Sequence, residues 1–160
     1  VLDTNNNSDI TTEKLAAALK VYGSRKNPDD ASALDEFISQ NPTSPWIPTL
    51  SITYGTRLYH QARFSEALEH FEKAWNALKD SESPKVREAS VFAAAELASL
   101  YARLGRMEEL RHVLNDVEGR PISGSNTEKI RMAAEGLEAM TTTPEHSFKC
   151  GPFALRNIRE

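Results

Sequence analysis

The chain has 160 residues, a formal net charge of −4, 39% hydrophobic and 26% charged residues, and one cysteine. That is enough apolar chain for one domain with a sizeable core. The acidic balance argues against a general nucleic-acid binder, no run of eighteen apolar residues is present to insert in a membrane, and a lone cysteine cannot make an internal disulfide.

The chain opens Val1-Leu2-Asp3, without methionine or a signal-peptide core, which reads as a processed start or a piece of something longer. On that reading an exported or cell-envelope setting is as open as a cytoplasmic one. The polar, Asn-rich residues 1–11 are expected to form a flexible lead-in. A first helix is then predicted from about Thr12 to Tyr22, burying Leu15, Ala18, Leu19 and Tyr22 and ending at Gly23. Asn27-Pro28-Asp29-Asp30 has the pattern of a helix start: a cap, a first-turn proline, and acids facing the dipole. The second helix would bury Ala31, Leu34, Phe37 and Ile38 and stop before Asn41-Pro42.

Ser44-Pro45-Trp46-Ile47-Pro48 places the third helix start near Ile47, with Pro48 in the first turn, because two prolines three residues apart cannot both lie deep in a helix. This helix runs to about His60. A fourth runs from Phe64 to about Lys79, with Ala67, Phe71 and Ala74 on one face. The fifth spans about Pro84 to Leu104. Its Ala93-Ala94-Ala95 and Ala98 favour helix and close approach, which makes it the central one. Gly105 closes it, Met107 to about Val117 follows, and Gly119 to Gly124 is an irregular connection. Asn126 or Thr127 would cap a seventh helix through about Met140, burying Ile130, Ala133, Ala134 and Leu137. Residues 141–160 form a polar break and a short last helix near Cys150-Gly151-Pro152.

Gly55, the Ala62-Arg63 turn, Ala67, Phe71 and Ala74 form a pattern in which small residues let two antiparallel helices approach and an aromatic fills the remaining gap. The stretch resembles a tetratricopeptide repeat. A weaker copy carries Leu97, Ala98, Tyr101, Gly105, Met107, Leu110 and Leu114. Ala62 and Gly105 stand 43 residues apart, longer than the usual ~34-residue repeat. The resemblance implies stacked helical hairpins over residues 12–140 that bind other proteins and do no chemistry.

A second resemblance starts at Phe148-Lys149-Cys150-Gly151-Pro152-Phe153-Ala154-Leu155. A cysteine just before a helix-opening Gly-Pro can have its thiolate stabilised by helix N-terminal amides. The motif looks like the nucleophile segment of papain-like peptidases that process double-glycine leaders, and of their transglutaminase-like relatives. Ser44-Pro45-Trp46, Phe64–Ala74, Ala102–Arg106, Glu118–Arg120 and Cys150-Gly151-Pro152 occur in one order. That order resembles the helical region preceding such a domain in large bacterial proteins. The resemblance implies Cys150 as candidate nucleophile. Two features depart from an active enzyme: Pro144 stands where relatives place a glutamine, and nothing after Glu160 supplies a histidine and acid.

Other chemistry is sparse. His60, His70, His112 and His146 are scattered, so no metal ligand set is expected, and no cofactor. Gly119 to Gly124 contains Pro121 and follows no strand, so it is not a phosphate loop. Acids interleave with Arg103, Arg106, Arg111 and His112, the pattern of a solvated face. The remaining candidate is a binding groove formed by the first helices of successive hairpins, lined by Thr49, Ile52, Thr56 and Tyr59 beside Phe92, Ala95, Ser99 and Arg103. A neighbouring helix filling it as core is the alternative.

The reading is therefore an all-α array of about three helical hairpins plus a short terminal helix. It would serve as a protein-interaction or spacer module of a larger bacterial protein, with a protein or peptide partner and no enzyme activity of its own. The alternative is a regulatory part of a cysteine hydrolase whose histidine and acid come from sequence not present here.

Overall fold

In a computed structural model that describes residues 4–143, the chain is all-helical. Seven helices follow one another among the described residues: α1 (Thr4–Gly23), α2 (Ser32–Gln40), α3 (Ile47–His60), α4 (Phe64–Leu78), α5 (Pro84–Leu104), α6 (Met107–Val117) and α7 (Ser125–Thr142). Helices α1 and α2, α3 and α4, and α5 and α6 pack as consecutive pairs. Helix α5 also packs against α4 and α7, and α6 against α7. The short last helix expected near Cys150 lies outside the described residues.

Local sequence explains most of these boundaries. Ser83, held extended by the following proline, hands over to α5 with Pro84 at the start, where its missing N–H is no loss. Pro48 fills the same role in α3. In α4, Ala67, Leu68, Phe71, Ala74, Trp75 and Leu78 are buried as one stripe, the one-sided pattern of a helix laid on a core. Burial in α5 runs nearly all round, from Ser90 to Tyr101. Ala93, Ala94, Ala95 and Ala98 help that enclosure, since small side chains let neighbouring helices approach closely.

Several boundaries and faces differ from the sequence reading: Leu19, expected in the core, is exposed, and α7 starts at Ser125, so Asn126 and Thr127 lie inside its first turn and do not cap it. Helix α1 begins at Thr4, well before Thr12; the Asn and Ser residues there are weak helix formers, but no glycine or proline interrupts the run. Helix α2 begins at Ser32, not at Asn27. The Asn27 carboxamide oxygen accepts the Asp29 N–H (3.0 Å) and the Asp30 carboxylate accepts the Ser32 N–H (3.0 Å). Each side chain thus folds back two residues on and makes a turn instead of a helix cap. In α7, Ala134 is exposed and Ala133 and Met140 are buried, while Gly136 brings the helix close to α5: a Cβ there would lie 3.6 Å from the Ala102 methyl.

The turns closing α3 and α5 share one geometry. Arg63 N–H donates to Leu58 C=O (2.9 Å) and Ala62 N–H to Tyr59 C=O (3.0 Å). Arg106 N–H donates to Tyr101 C=O (2.9 Å) and Gly105 N–H to Ala102 C=O (3.4 Å). Both are Schellman closures with a left-handed residue, Ala62 at φ 60° and Gly105 at φ 69°.

Two buried cores result. One is built from Leu15, Ala31, Leu34, Phe37, Ile47, Leu50 and Tyr54. The larger begins at Leu58 and runs through α4 and α5 to Ala133 and Met140. Helix α3 belongs to both. Within each core a tyrosine bonds two helices: Tyr54 Oη on α3 donates to Asp35 Oδ1 on α2 (2.6 Å), and Tyr101 Oη on α5 donates to Glu72 Oε1 on α4 (2.5 Å).

Candidate functional site

Two clefts open along α3. The first, about 370 Å³, has Phe71 at its base and Thr56, Tyr59, Ser99, Arg103 and Lys129 among its walls. The second, about 490 Å³, is bounded by α3, Phe92 and the loop after α1, with Arg25, Ile52 and Arg57 on its walls. Thr56 and His60 line both, so the clefts meet along α3.

Six of the eight residues expected to line a groove do so: Ile52, Thr56, Tyr59, Phe92, Ser99 and Arg103. Thr49 is exposed at the start of α3, one turn short of both clefts. Ala95 must be corrected: it is fully buried. With α4, α6 and α7 all packed on α5, only a narrow strip of that helix stays open, and Ala95 is too short to reach it. Helix α7 brings Lys129 and Ala133 to one wall of the first cleft.

Polar contacts set the rim of the first cleft. Arg103 Nη1 donates to Tyr59 Oη (2.6 Å), and its guanidinium carbon lies 5.6 Å from the Tyr59 ring centre. Lys129 pairs with Glu96 and sits 5.4 Å from the centre of the Phe92 ring. Glu96 is buried, and such a carboxylate needs a close cation or hydrogen-bond donor to remain charged.

In the second cleft, Arg25 donates to the carbonyls of Tyr22 (2.6 Å) and Pro28 (3.1 Å) and lies on the Tyr22 ring at 3.7 Å. Arg57 Nη1 donates to the Asp29 carbonyl (3.1 Å), and Gln61 Nε2 to the Asp29 carboxylate (2.6 Å). Arg57 Nε is buried with no acceptor. Behind this wall the Tyr54 ring stacks on His70 with centres 5.5 Å apart. Burial holds the His70 imidazole below its ordinary pKa, and the nearby Lys73 acts in the same direction.

The chain matches no protein-family model, and neither a curated protein nor a solved structure matches it.

Sequence reasoning missed Arg25, Arg57, His60, Glu96 and Lys129. Hairpin register identifies which face of α3 and α5 is concave. It says nothing of a side chain delivered by the loop after α1 or by α7. Among the described residues no group of three or more His, Cys, Asp or Glu could hold a metal ion, and no helix is long and apolar enough to cross a membrane. Cys150, Pro144 and His146 lie outside the described residues.

Proposed function

We propose that this chain is a protein-interaction module that holds a segment of a partner protein along the α3–α5 face. The observation carrying this reading is the meeting of two clefts at Thr56 and His60, with Tyr59, Phe92 and Arg103 along them. Tyr, Phe and Arg are the types that dominate interface energetics, because each gives a large apolar area plus a directional polar or cationic edge. The tetratricopeptide-like pattern around Gly55–Ala74 supports the same face, since in such arrays the first helices of successive hairpins line the concave side. Cys150 has no role in this reading.

Peptides selected from a random display library on the intact chain, then mapped by amide chemical-shift changes, test the proposal. Shifts clustered on Thr56, Tyr59, His60 and Ser99 are expected. Shifts confined to the outer faces of α4 and α6 would sink it. A separate assay addresses the thiol. Peptide or ester turnover by wild type that disappears in Cys150→Ala would overturn the scaffold reading, since a nucleophile works only with a positioned base and oxyanion donors.

A further inference from the structure

Helix α7 leaves one flank uncovered. Ala133 and Met140 are its buried residues, while Met132, Gly136, Ala139 and Thr143 follow at intervals of four, three and four and share a second face. Met132 is 59% exposed, more than any other large apolar side chain on the helices bordering the first cleft, and it forms part of that cleft's wall. Gly136 comes close to Ala102, which belongs to the same wall. The face therefore runs from the point where the chain leaves α7 into the cleft, with only the small Ala139 and Gly136 along the way. Beyond Thr143 the chain continues for seventeen residues, and Phe148, Phe153, Leu155 and Ile158 stand within eleven of them. Segments that stay in water are poor in such aromatic and aliphatic residues. The length suffices as well. Thr143 and Met132 stand about 16 Å apart along α7 at 1.5 Å per residue. An extended chain spans about 3.3 Å per residue, so Phe148 already reaches that far and Phe153 does so with slack.

We propose that residues 148–158 of this chain fold back along the Met132–Gly136–Ala139 face and fill the first cleft, setting apolar side chains against Ala102, Met132 and Ala133 over Phe71. At about 370 Å³ the cleft is of the size that side chains and small ligands fill. The tether selects this occupant over a free one. A segment joined to the cleft wall meets it at an effective concentration of about millimolar, so an affinity too weak to hold a separate partner is enough. The same segment from a second copy competes only at the protein concentration, orders of magnitude lower at micromolar working conditions. One consequence rests on the reading of the α3–α5 face as an interaction surface: the groove is self-blocked at rest, and a partner must displace the chain's own segment. The docking itself does not depend on that reading.

Cys150 is the chain's one cysteine and lies inside the segment, so it carries the probe. In the full 160-residue chain a nitroxide on Cys150 should broaden the amides of Ser99, Arg103 and Met132, and Phe153→Ser with Leu155→Ser should abolish the effect. Isotope-labelled chain without nitroxide, mixed with nitroxide-bearing chain, should show no broadening. A second readout needs no nitroxide. Alkylation of Cys150 should be about tenfold or more slower in wild type than in the double variant or in Met132→Glu, because a docked thiol reacts only on opening. Met132 is exposed, so unchanged melting is expected of its variant. Equal alkylation in all three proteins, or broadening confined to the last turn of α7, would overturn the proposal. Broadening that appears only in the mixed sample would overturn it in favour of a second copy. A peptide from the display selection above separates docking from the interaction reading. It should bind the double variant about tenfold more tightly than wild type, the gain from freeing an occupied site. Equal affinity, with shifts still on Thr56 and Ser99, would overturn self-occupancy and leave the groove as a partner site. Cleft broadening from Cys150 with no selected peptide reaching the cleft in either protein would support the docked segment and remove the interaction reading.

Discussion

Gly55 and Phe71 compete for one volume. A Cβ at Gly55 would sit 2.7 Å from Phe71 Cε1, closer than carbon atoms pack, and Phe71 is fully buried. Phe71→Ala should cost about 3–5 kcal/mol in denaturant melts, the range for emptying a buried aromatic site. Glu69→Ala, on the exposed face of the same helix, should stay within ~0.5 kcal/mol. Gly55→Ala gains helix propensity but overfills the contact, for a net loss of about 1–2 kcal/mol. In a Phe71→Leu background that loss should largely vanish; persistence there would show that the ring is not what Gly55 accommodates. His70 makes a separate prediction. Its folded pKa lies below the ordinary 6.5, so the unfolded chain takes up the proton more readily. Stability from this group is complete above that value and falls as pH drops from 6.5 through the folded pKa. The urea midpoint should therefore decline less in His70→Gln than in wild type between neutral pH and about pH 5. Parallel declines would mean that the imidazole is not held neutral by its burial.

At the scale of elements, the two Schellman turns form a natural pair for exchange. The left-handed position is glycine after α5 and alanine after α3, with the same two hydrogen bonds around each. A Cβ at positive φ costs roughly 1–2 kcal/mol, and glycine gives back about half of that through the entropy of the unfolded chain. Ala62→Gly should thus raise the melting free energy by about 0.5–1 kcal/mol, and Gly105→Ala should lower it by a similar amount. A destabilised Ala62→Gly protein would show that the methyl group packs usefully enough to outweigh its strain. The connection after α6 acts differently. Arg120 donates to the carbonyls of Asp116 (2.8 Å) and Lys79 (2.7 Å) and lies 5.0 Å from the Trp75 ring centre, tying the ends of α6 and α4 together. No periodicity announces that arginine, because its partners are 4 and 41 residues away.

For the whole molecule, the division into two cores predicts uneven stability. The smaller core holds α1 and α2 against the first half of α3, while the larger encloses α5 on several sides. Regions with less buried apolar surface open more readily than those sharing the main core. Amide hydrogen exchange should therefore be faster in α1 and α2 than in α4 and α5. Tyr54→Phe removes the bond to Asp35 and should accelerate exchange in α2 without changing α6. Tyr101→Phe, at the join inside the larger core, should slow folding or lower global stability by about 1 kcal/mol instead. Uniform protection across all seven described helices would refute the two-core division.

The starts of α3, α4, α5 and α6 were legible in the sequence because each is decided within a few residues: Pro48 and Pro84 at helix starts, and Ala62-Arg63 and Gly105-Arg106 at the turns. The Gly55–Phe71 contact was legible too, since a fixed hairpin register and one missing side chain specify it. Where two local outcomes lie close in free energy, sequence was a weaker guide. Asn27 and Asp30 can cap a helix or close a turn, and the chain closes turns. The burial of Ala133 rather than Ala134 needed the rotation at which α7 meets Ala102. The two clefts lie furthest from sequence reach. Arg25 and Lys129 are ordinary surface cations in one dimension, and only the packing of the loop after α1 and of α7 brings them to the clefts that meet along α3.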